Sequence, residues 1–427
     1  MTIFIGMIIL FALGTPIGFS MLIAVLGFLF IEGRLSDLLS VATAQAFSLN
    51  KFILLAIPFF MLAAEIMNQS KITDKIFRFA YVLVSRIPGT LGHVNVVASM
   101  LFAGMSGSGI ADASGLGRLE IKAMRDAGYD APFAAAVTAS SACIGPVIPP
   151  SISMVIAGVV CSVSVGKLLL GGFIPGCLMG IALMLSVAFR AKMRNYPKGE
   201  THPKFGEVIS SFKDAFLALL TPVILVMGIF SGVFTPTEAA IAASAYALFI
   251  AIFAYRSIDL KGLFSLFCLV GVRCATVMFV FSCASVIGKI VTRAQLPQLV
   301  AEHLMSITQN PVGVLFICLG LFLVLGTLMD DTALLVILGP ILMPIVTALG
   351  INPIHFGVLM VMSLQIAMMT PPVGITMFIA CYYAEIDVLT FSKEVWPQFL
   401  ILVCSAILIL LFPKLTLFLP SLLGKGF

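Results

Sequence analysis

Charge is the scarcest property of this sequence. Lys, Arg, Asp and Glu make up 10% of its 427 residues, where soluble proteins carry about 25%. With 61% hydrophobic residues and a mean hydropathy of +1.17, no water-facing surface can be assembled from the chain. The four His (His93, His202, His303, His355) lie far apart, and no H-E-x-x-H occurs. There is no G-x-x-x-x-G-K-[ST], which excludes ATP hydrolysis through a P-loop. No C-x-x-C pairs any of the nine Cys, which stand singly and read as small buried hydrophobes. Around Ser106 the run Gly-Met-Ser-Gly-Ser-Gly fails the nucleophile elbow at its last position. Nothing nominates an enzyme. The net charge of +5 is local and serves topology, not nucleic-acid binding.

What is present are long apolar runs. A spanning helix needs about 20 such residues, and the runs suffice for roughly ten or more crossings in a lipid bilayer. Residues 1–13 hold no Lys or Arg, so the first hydrophobic segment is expected to stay in the mature protein. Residues 34–50 carry Leu35, Leu38, Leu39 and Ala42 at helical spacing, which fits a helix along the interface, with a plain loop as the alternative. The one long hydrophilic stretch, 190–214, contains Arg190, Lys192, Arg194, Lys198, Lys204 and Lys213 and is expected in the cytoplasm. It divides the chain into 1–189 and 215–427.

The two parts repeat. Pro149-Pro150-Ser151-Ile152-Ser153-Met154 and Pro371-Pro372-Val373-Gly374-Ile375-Thr376-Met377 are offset by 222 residues (371 − 149), with one residue inserted. At the same offset Gly104 meets Gly326, each ahead of a polar break: Met105–Gly109 in one half, Leu328–Thr332 in the other. After its break the first half has Arg118, Lys122 and Arg125, whereas no Lys or Arg occurs between Arg293 and Lys393. Equivalent loops should therefore face opposite sides of the membrane, which is an inverted-topology repeat.

Unwound backbone at membrane depth is tolerated where it lines a cavity or meets an ion. Two breaks and two proline loops, 145–150 and 369–374, would give two oxygen-rich pockets suited to a hard cation such as Na⁺. The plainer reading is kinks in packed helices, and four elements in repeat-related positions favour the pockets. Asp330 and Asp331 stand in an apolar segment, where ionisable residues are candidates for function, with a helix end facing water as the alternative. Lys289 and Arg293, four residues apart, share a helix face and could meet a substrate carboxylate, or snorkel to the interface. Asp112 and Glu238 follow breaks and could merely cap helices. Gly172, Gly176 and Gly180 form a small-residue stripe for close packing, and Trp396 reads as an interface anchor.

The stretches Leu101-Phe-Ala-Gly-Met-Ser-Gly-Ser-Gly-Ile-Ala-Asp-Ala113, Cys143-Ile-Gly-Pro-Val-Ile-Pro-Pro-Ser151 and Met369-Thr-Pro-Pro-Val-Gly374 resemble the large membrane subunit of tripartite ATP-independent periplasmic (TRAP) transporters. The resemblance spans essentially the whole chain. It implies an all-α polytopic protein of the bacterial inner membrane, with about eleven transmembrane helices and two re-entrant hairpins. Those hairpins are expected near 50–69 and 277–296. It further implies an elevator with scaffold and transport domains, driven by Na⁺. One Na⁺ site would use Gly104, Ser106 and Ser108 with Gly145, Ile148 and Pro150. The other would use Gly326 and Asp330 with Thr370 and Val373. The organic anion would meet Ser106, Asp330, Lys289 and Arg293. Two partners are implied: a four-helix small membrane subunit, expected as a separate chain, and a periplasmic substrate-binding protein. Sialic acid is the favoured substrate and C4-dicarboxylates the alternative. A passive anion channel, the rival of another class, has the inverted repeat against it.

Overall fold

The computed structural model describes residues 13–422 except 71, 198–204, 294, 296–298, 300–307 and 309, and before them residues 3, 6, 7, 9 and 10. Among the described residues there is no strand. Every backbone polar group in a bilayer needs an internal partner, and helices supply it within one segment.

The chain opens with α1 (Ile17–Ile31), α2 (Leu38–Ser48), α3 (Ala56–Gln69) and α4 (Ile72–Val84). The stretch expected along the interface is thus helical, with Val41 and Ala44 inward and Leu39 and Phe47 outward. Next come α5 (Thr90–Ser106), α6 (Gly109–Asp126), α7 (Ala131–Ala142), α8 (Ile152–Val160) and α9 (Val165–Met193). After the connector follow α10 (Phe205–Phe230), α11 (Pro236–Phe249, prolonged by a π turn) and α12 (Leu260–Arg293). The second half then gives α13 (Pro311–Leu325), α14 (Asp331–Ala348), α15 (Pro353–Ala367) and α16 (Ile375–Ala384). The chain ends with α17 (Val388–Leu411) and α18 (Lys414–Leu422).

Seven helical stretches among the described residues are long and apolar enough to cross a membrane by themselves. Others stop short because they are interrupted in mid-course: α5, α13, α15 and α16 are apolar helices of 10–17 residues. These are the helices that flank the Gly, Ser and Pro breaks.

The expected hairpins fall elsewhere. Residues 56–69 form one helix, preceded by a short 3₁₀ turn at Phe52–Leu55, and 277–293 is the second half of the unbroken α12. Neither segment contains a Gly or Pro break able to reverse the chain. The reversal lies instead at α5–α6. Leu91 N at the start of α5 donates to Tyr129 Oη just past the end of α6, 3.3 Å away, so the two helices fold back on each other. Only Gly107 and Ser108 join them, with Gly107 left-handed at φ 58°.

Close packing fixes this hairpin. The glycine stripe of α9 packs on the proline loop of the first half and on α5. A Cβ at Gly172 would collide with the Val147 carbonyl, one at Gly176 with Ile148, and one at Gly180 with Met100 of α5. Glu238 completes a capping box with Thr235 at the start of α11, as expected of a cap. Asp112 does not cap. It is buried in the first turn of α6 beside Ser99 of α5, and Ser108 is the cap there.

Candidate functional site

The hairpin tip and the proline loop of the first half are zipped together by backbone. Gly107 donates to Ala103 O, and Gly107 O accepts from Ile152 N at 3.3 Å, the first residue of α8. A Cβ at Gly107 would collide with the Pro150 carbonyl. Ser151 caps α8, accepting from Met154 N at 3.0 Å while its hydroxyl donates to Pro146 O. Gly145 sits beside the Ser108 backbone, its Cβ position 3.6 Å from the Ser108 carbonyl carbon. Ser106 Oγ is buried without a hydrogen-bond partner. Gly104, Ser106, Ser108, Gly145, Ile148 and Pro150 thus lie on the two sides of one junction, the hairpin tip and the proline loop. Gly104 is its back wall, with Pro222 of α10 2.9 Å from its Cβ position.

The second half repeats the junction. Asn310 caps α13 and Asp330 caps α14, accepting from Thr332 N at 3.1 Å. The loop between α15 and α16 is bound by Val373 N donating to Thr327 O at 2.9 Å. Thr370 Oγ1 donates to Ala367 O at 2.7 Å and Thr376 Oγ1 to Met368 O at 2.9 Å. Gly326 lies 2.5 Å, measured from its Cβ position, from the Ala367 methyl. In both loops the Pro–Pro bond is cis.

The two junctions share one cavity of about 390 Å³. Its walls include Ser106–Ala111 of the first tip, Asp330, Asp331 and Thr332 of the second, and Ser153, Gln365 and Met368 from the broken helices. Ser153 Oγ donates to Asp331 Oδ2 at 2.6 Å, and Gln365 Nε2 donates to the same oxygen at 2.5 Å. Gln365 Nε2 also lies 3.3 Å from Ser153 Oγ. One carboxylate oxygen therefore ties the start of α8 to the start of α14. The fourth wall is α3 and α12, which contribute Glu65 and Arg273, paired at 2.5 Å.

Of the residues singled out for the anion, Ser106 and Asp330 line this cavity. Lys289 does not: it borders two other hollows, one beside Arg34 and Asp37, the other beside Lys51. It sits 16 residues beyond Arg273 on α12, roughly 24 Å along the helix axis. The backbone of Arg293 ends α12, and its side chain lies outside the described residues.

Ser153, Gln365, Glu65 and Arg273 were not picked out from sequence. Arg273 had a readable signal, since it is a cation midway along a 34-residue apolar helix whose other cations, Lys261, Lys289 and Arg293, stand nearer its ends. Asp331 rather than Asp330 makes the cross-repeat tie, which depends on the phase of α14 and not on composition. Among the described residues no group of three or more His, Cys, Asp or Glu could hold a metal. The oxygens here are carbonyls, hydroxyls and carboxylates, the donor set of a hard cation.

Comparison with known proteins agrees with this architecture. A solved transporter, YdaH of Alcanivorax borkumensis, superposes with a TM-score of 0.66 over 90% of this chain and 89% of its own, at 14% identity, a likeness of fold alone. The sialic acid TRAP transporter large permease protein SiaM of Vibrio cholerae is 44% identical, covering 98% of this chain and 97% of its own. The sialic acid TRAP transporter permease protein SiaT of Haemophilus influenzae is 40% identical, over 98% of this chain and 68% of its own. The C4-dicarboxylate TRAP transporter large permease protein DctM of Vibrio cholerae is 35% identical, over 98% and 96%. Residues 4–415 match the family of the tripartite ATP-independent periplasmic transporter, DctM component. The chain is a multi-pass membrane permease, not an enzyme, and it belongs to the DctM family of tripartite ATP-independent periplasmic transporters.

Proposed function

We propose that this permease imports a monocarboxylate of the sialic acid type, coupled to Na⁺, by an elevator movement of the two hairpins and their broken helices. A separate four-helix subunit and a periplasmic binding protein complete the machine. The observation that carries the reading is the cavity in which both repeats meet. Its volume falls in the range of roughly 300–1,000 Å³ that encloses a small organic ligand. The greater identity to the two sialic acid permeases than to the C4-dicarboxylate permease supports the substrate.

Charge explains why cations must come first. The cavity wall holds one basic side chain, Arg273, against three acidic ones, Glu65, Asp330 and Asp331. Ionised, they leave an excess of two negative charges (3 − 1), which repels an entering anion. Cations at the two junctions offset that excess beside the hollow the anion would enter. Ser106, with its unpartnered hydroxyl, and the carbonyls of 145–150 would hold one Na⁺. Asp330 with the carbonyls of 326–330 and 370–373 would hold the other. With no ATP chemistry in the chain, those ions moving downhill supply the work.

The test is uptake of labelled N-acetylneuraminate into proteoliposomes containing this chain and its small subunit, with the binding protein outside. Uptake should require both an inward Na⁺ gradient and the binding protein. Ser106→Ala and Asp330→Asn should each raise the Na⁺ concentration for half-maximal uptake about tenfold, near 1.4 kcal/mol of lost cation binding. Unchanged Na⁺ dependence in both variants would remove the assignment of the two junctions, and uptake of succinate in place of N-acetylneuraminate would replace the substrate.

A further inference from the structure

The cation of the cavity carries an inference that rests on the reading above and deepens it. Arg273 lies 12 residues past Lys261 and 16 before Lys289 on α12, which puts roughly 18 and 24 Å of helix on either side. An arginine so placed costs several kcal/mol in a bilayer and persists where it has work to do. Its Nη1 donates to Glu65 Oε2 at 2.5 Å. Two features distinguish this contact from a packing ion pair. The Arg273 side chain is 51% exposed while that of Glu65 is 9% exposed, so the arginine offers its fork to the cavity from a nearly closed wall. Glu65 also has a second partner, Gln69 Nε2, which donates to Oε1 at 3.1 Å. Glu65 can therefore lose Arg273 and stay hydrogen-bonded, whereas the remaining N–H groups of Arg273 have no partner among the described residues.

We propose that Arg273 is the receptor for the substrate carboxylate, and that Glu65 holds it in the empty cavity as an internal stand-in for that carboxylate. A guanidinium matches a carboxylate through two parallel N–H···O bonds, while Glu65 takes only one. The incoming carboxylate replaces Glu65 with a better-matched partner, and Glu65 falls back on Gln69. The latch has a use in transport. With Arg273 occupied, the three acidic side chains are partly offset even when no anion is bound, and inorganic anions that cannot bridge the fork bind no better than Glu65. The pair also straddles α3 and α12, outside the two hairpins.

The experiment is equilibrium dialysis of labelled N-acetylneuraminate against the purified two-subunit complex in nanodiscs at saturating Na⁺, beside uptake by the same complexes. Glu65→Gln, which weakens the stand-in and keeps its shape, should tighten binding about threefold or more. Arg273→Gln should weaken it at least ~30-fold, with Arg273→Lys between, because an ammonium lacks the planar fork. The double variant Glu65→Gln/Arg273→Gln leaves neither member of the pair as an unpaired charge and so guards against misfolding. It should bind as poorly as Arg273→Gln alone. A purely structural pair gives the opposite pattern: both single variants are harmed alike, and the exchange Glu65→Arg/Arg273→Glu restores binding. That pattern, or an Arg273→Gln complex within twofold of wild type, overturns the latch. If wild type binds succinate and not N-acetylneuraminate, the substrate of the proposed function falls, and the same variants read with succinate decide the latch. A wild type that binds and transports neither overturns the function itself.

Discussion

Asp331 accepts from the hydroxyl of Ser153 and the amide of Gln365 through a single oxygen, nearly out of contact with solvent. A buried carboxylate held by two neutral donors is tolerable, and a buried donor left without an acceptor is not, at about 1–3 kcal/mol each. Asp331→Asn leaves one oxygen that can still accept from both donors, but it removes the negative charge and puts an N–H₂ in place of the other carboxyl oxygen. Its Na⁺ requirement for half-maximal uptake should rise at least tenfold. Ser153→Ala removes one donor and leaves Asp331 with Gln365, so it should cost only about threefold. Because the three groups share one oxygen, the double variant should cost less than the product of the singles. Na⁺ titrations of uptake in the four proteins check this, and strict multiplicativity would show that the tie does not couple the repeats.

At the scale of elements, what matters is how a hairpin tip is held against a broken helix. In the first half that contact is backbone on backbone, at Gly107, which is both left-handed and pressed on the Pro150 carbonyl. Gly350 has the same backbone handedness at φ 75°, yet nothing lies within 4 Å of its Cβ position. Gly350→Ala should therefore lose only the conformational term, about 1 kcal/mol, and keep its uptake. Gly107→Ala adds a collision with a main-chain atom that cannot rotate away. It should lose about 3 kcal/mol or more of stability and most of its uptake. Thermal unfolding in detergent and initial uptake rates separate the two, and equal loss at both glycines would show that the tip is not clamped.

Composition made these breaks legible, because Gly-Ser-Gly and Pro-Pro interrupt helices inside apolar runs, and the 222-residue offset paired them. Which helices turn back was not legible. Residues 50–69 and 277–296 are more apolar than residues 90–126, and reversal is decided by what the tip meets, here the carbonyls near Pro150. Arg273 escaped notice for a related reason. Its helix stays strongly apolar on average, and its role comes from Glu65, 208 residues away in sequence.

For the whole molecule, charge bookkeeping across the membrane separates the two substrate readings without any structural variant. Two Na⁺ entering with a monocarboxylate move one net positive charge inward. One charge crossing about 60 mV gains roughly 1.4 kcal/mol, so each such step of inside-negative potential should raise the accumulation ratio about tenfold. Two Na⁺ with a dicarboxylate move no net charge, and accumulation would ignore voltage. The cavity favours the first case, because two cations and Arg273 together offset its three carboxylates, so that a monocarboxylate leaves one uncompensated negative charge and a dicarboxylate two. Proteoliposomes clamped with K⁺ and valinomycin at a fixed Na⁺ gradient give the slope directly. A tenfold change per ~60 mV supports two cations with a monoanion, and a hundredfold change calls for a third cation outside the two junctions. A flat response means that no net charge moves, as with one Na⁺ and a monocarboxylate or two Na⁺ and a dicarboxylate, and overturns two cations with a monoanion.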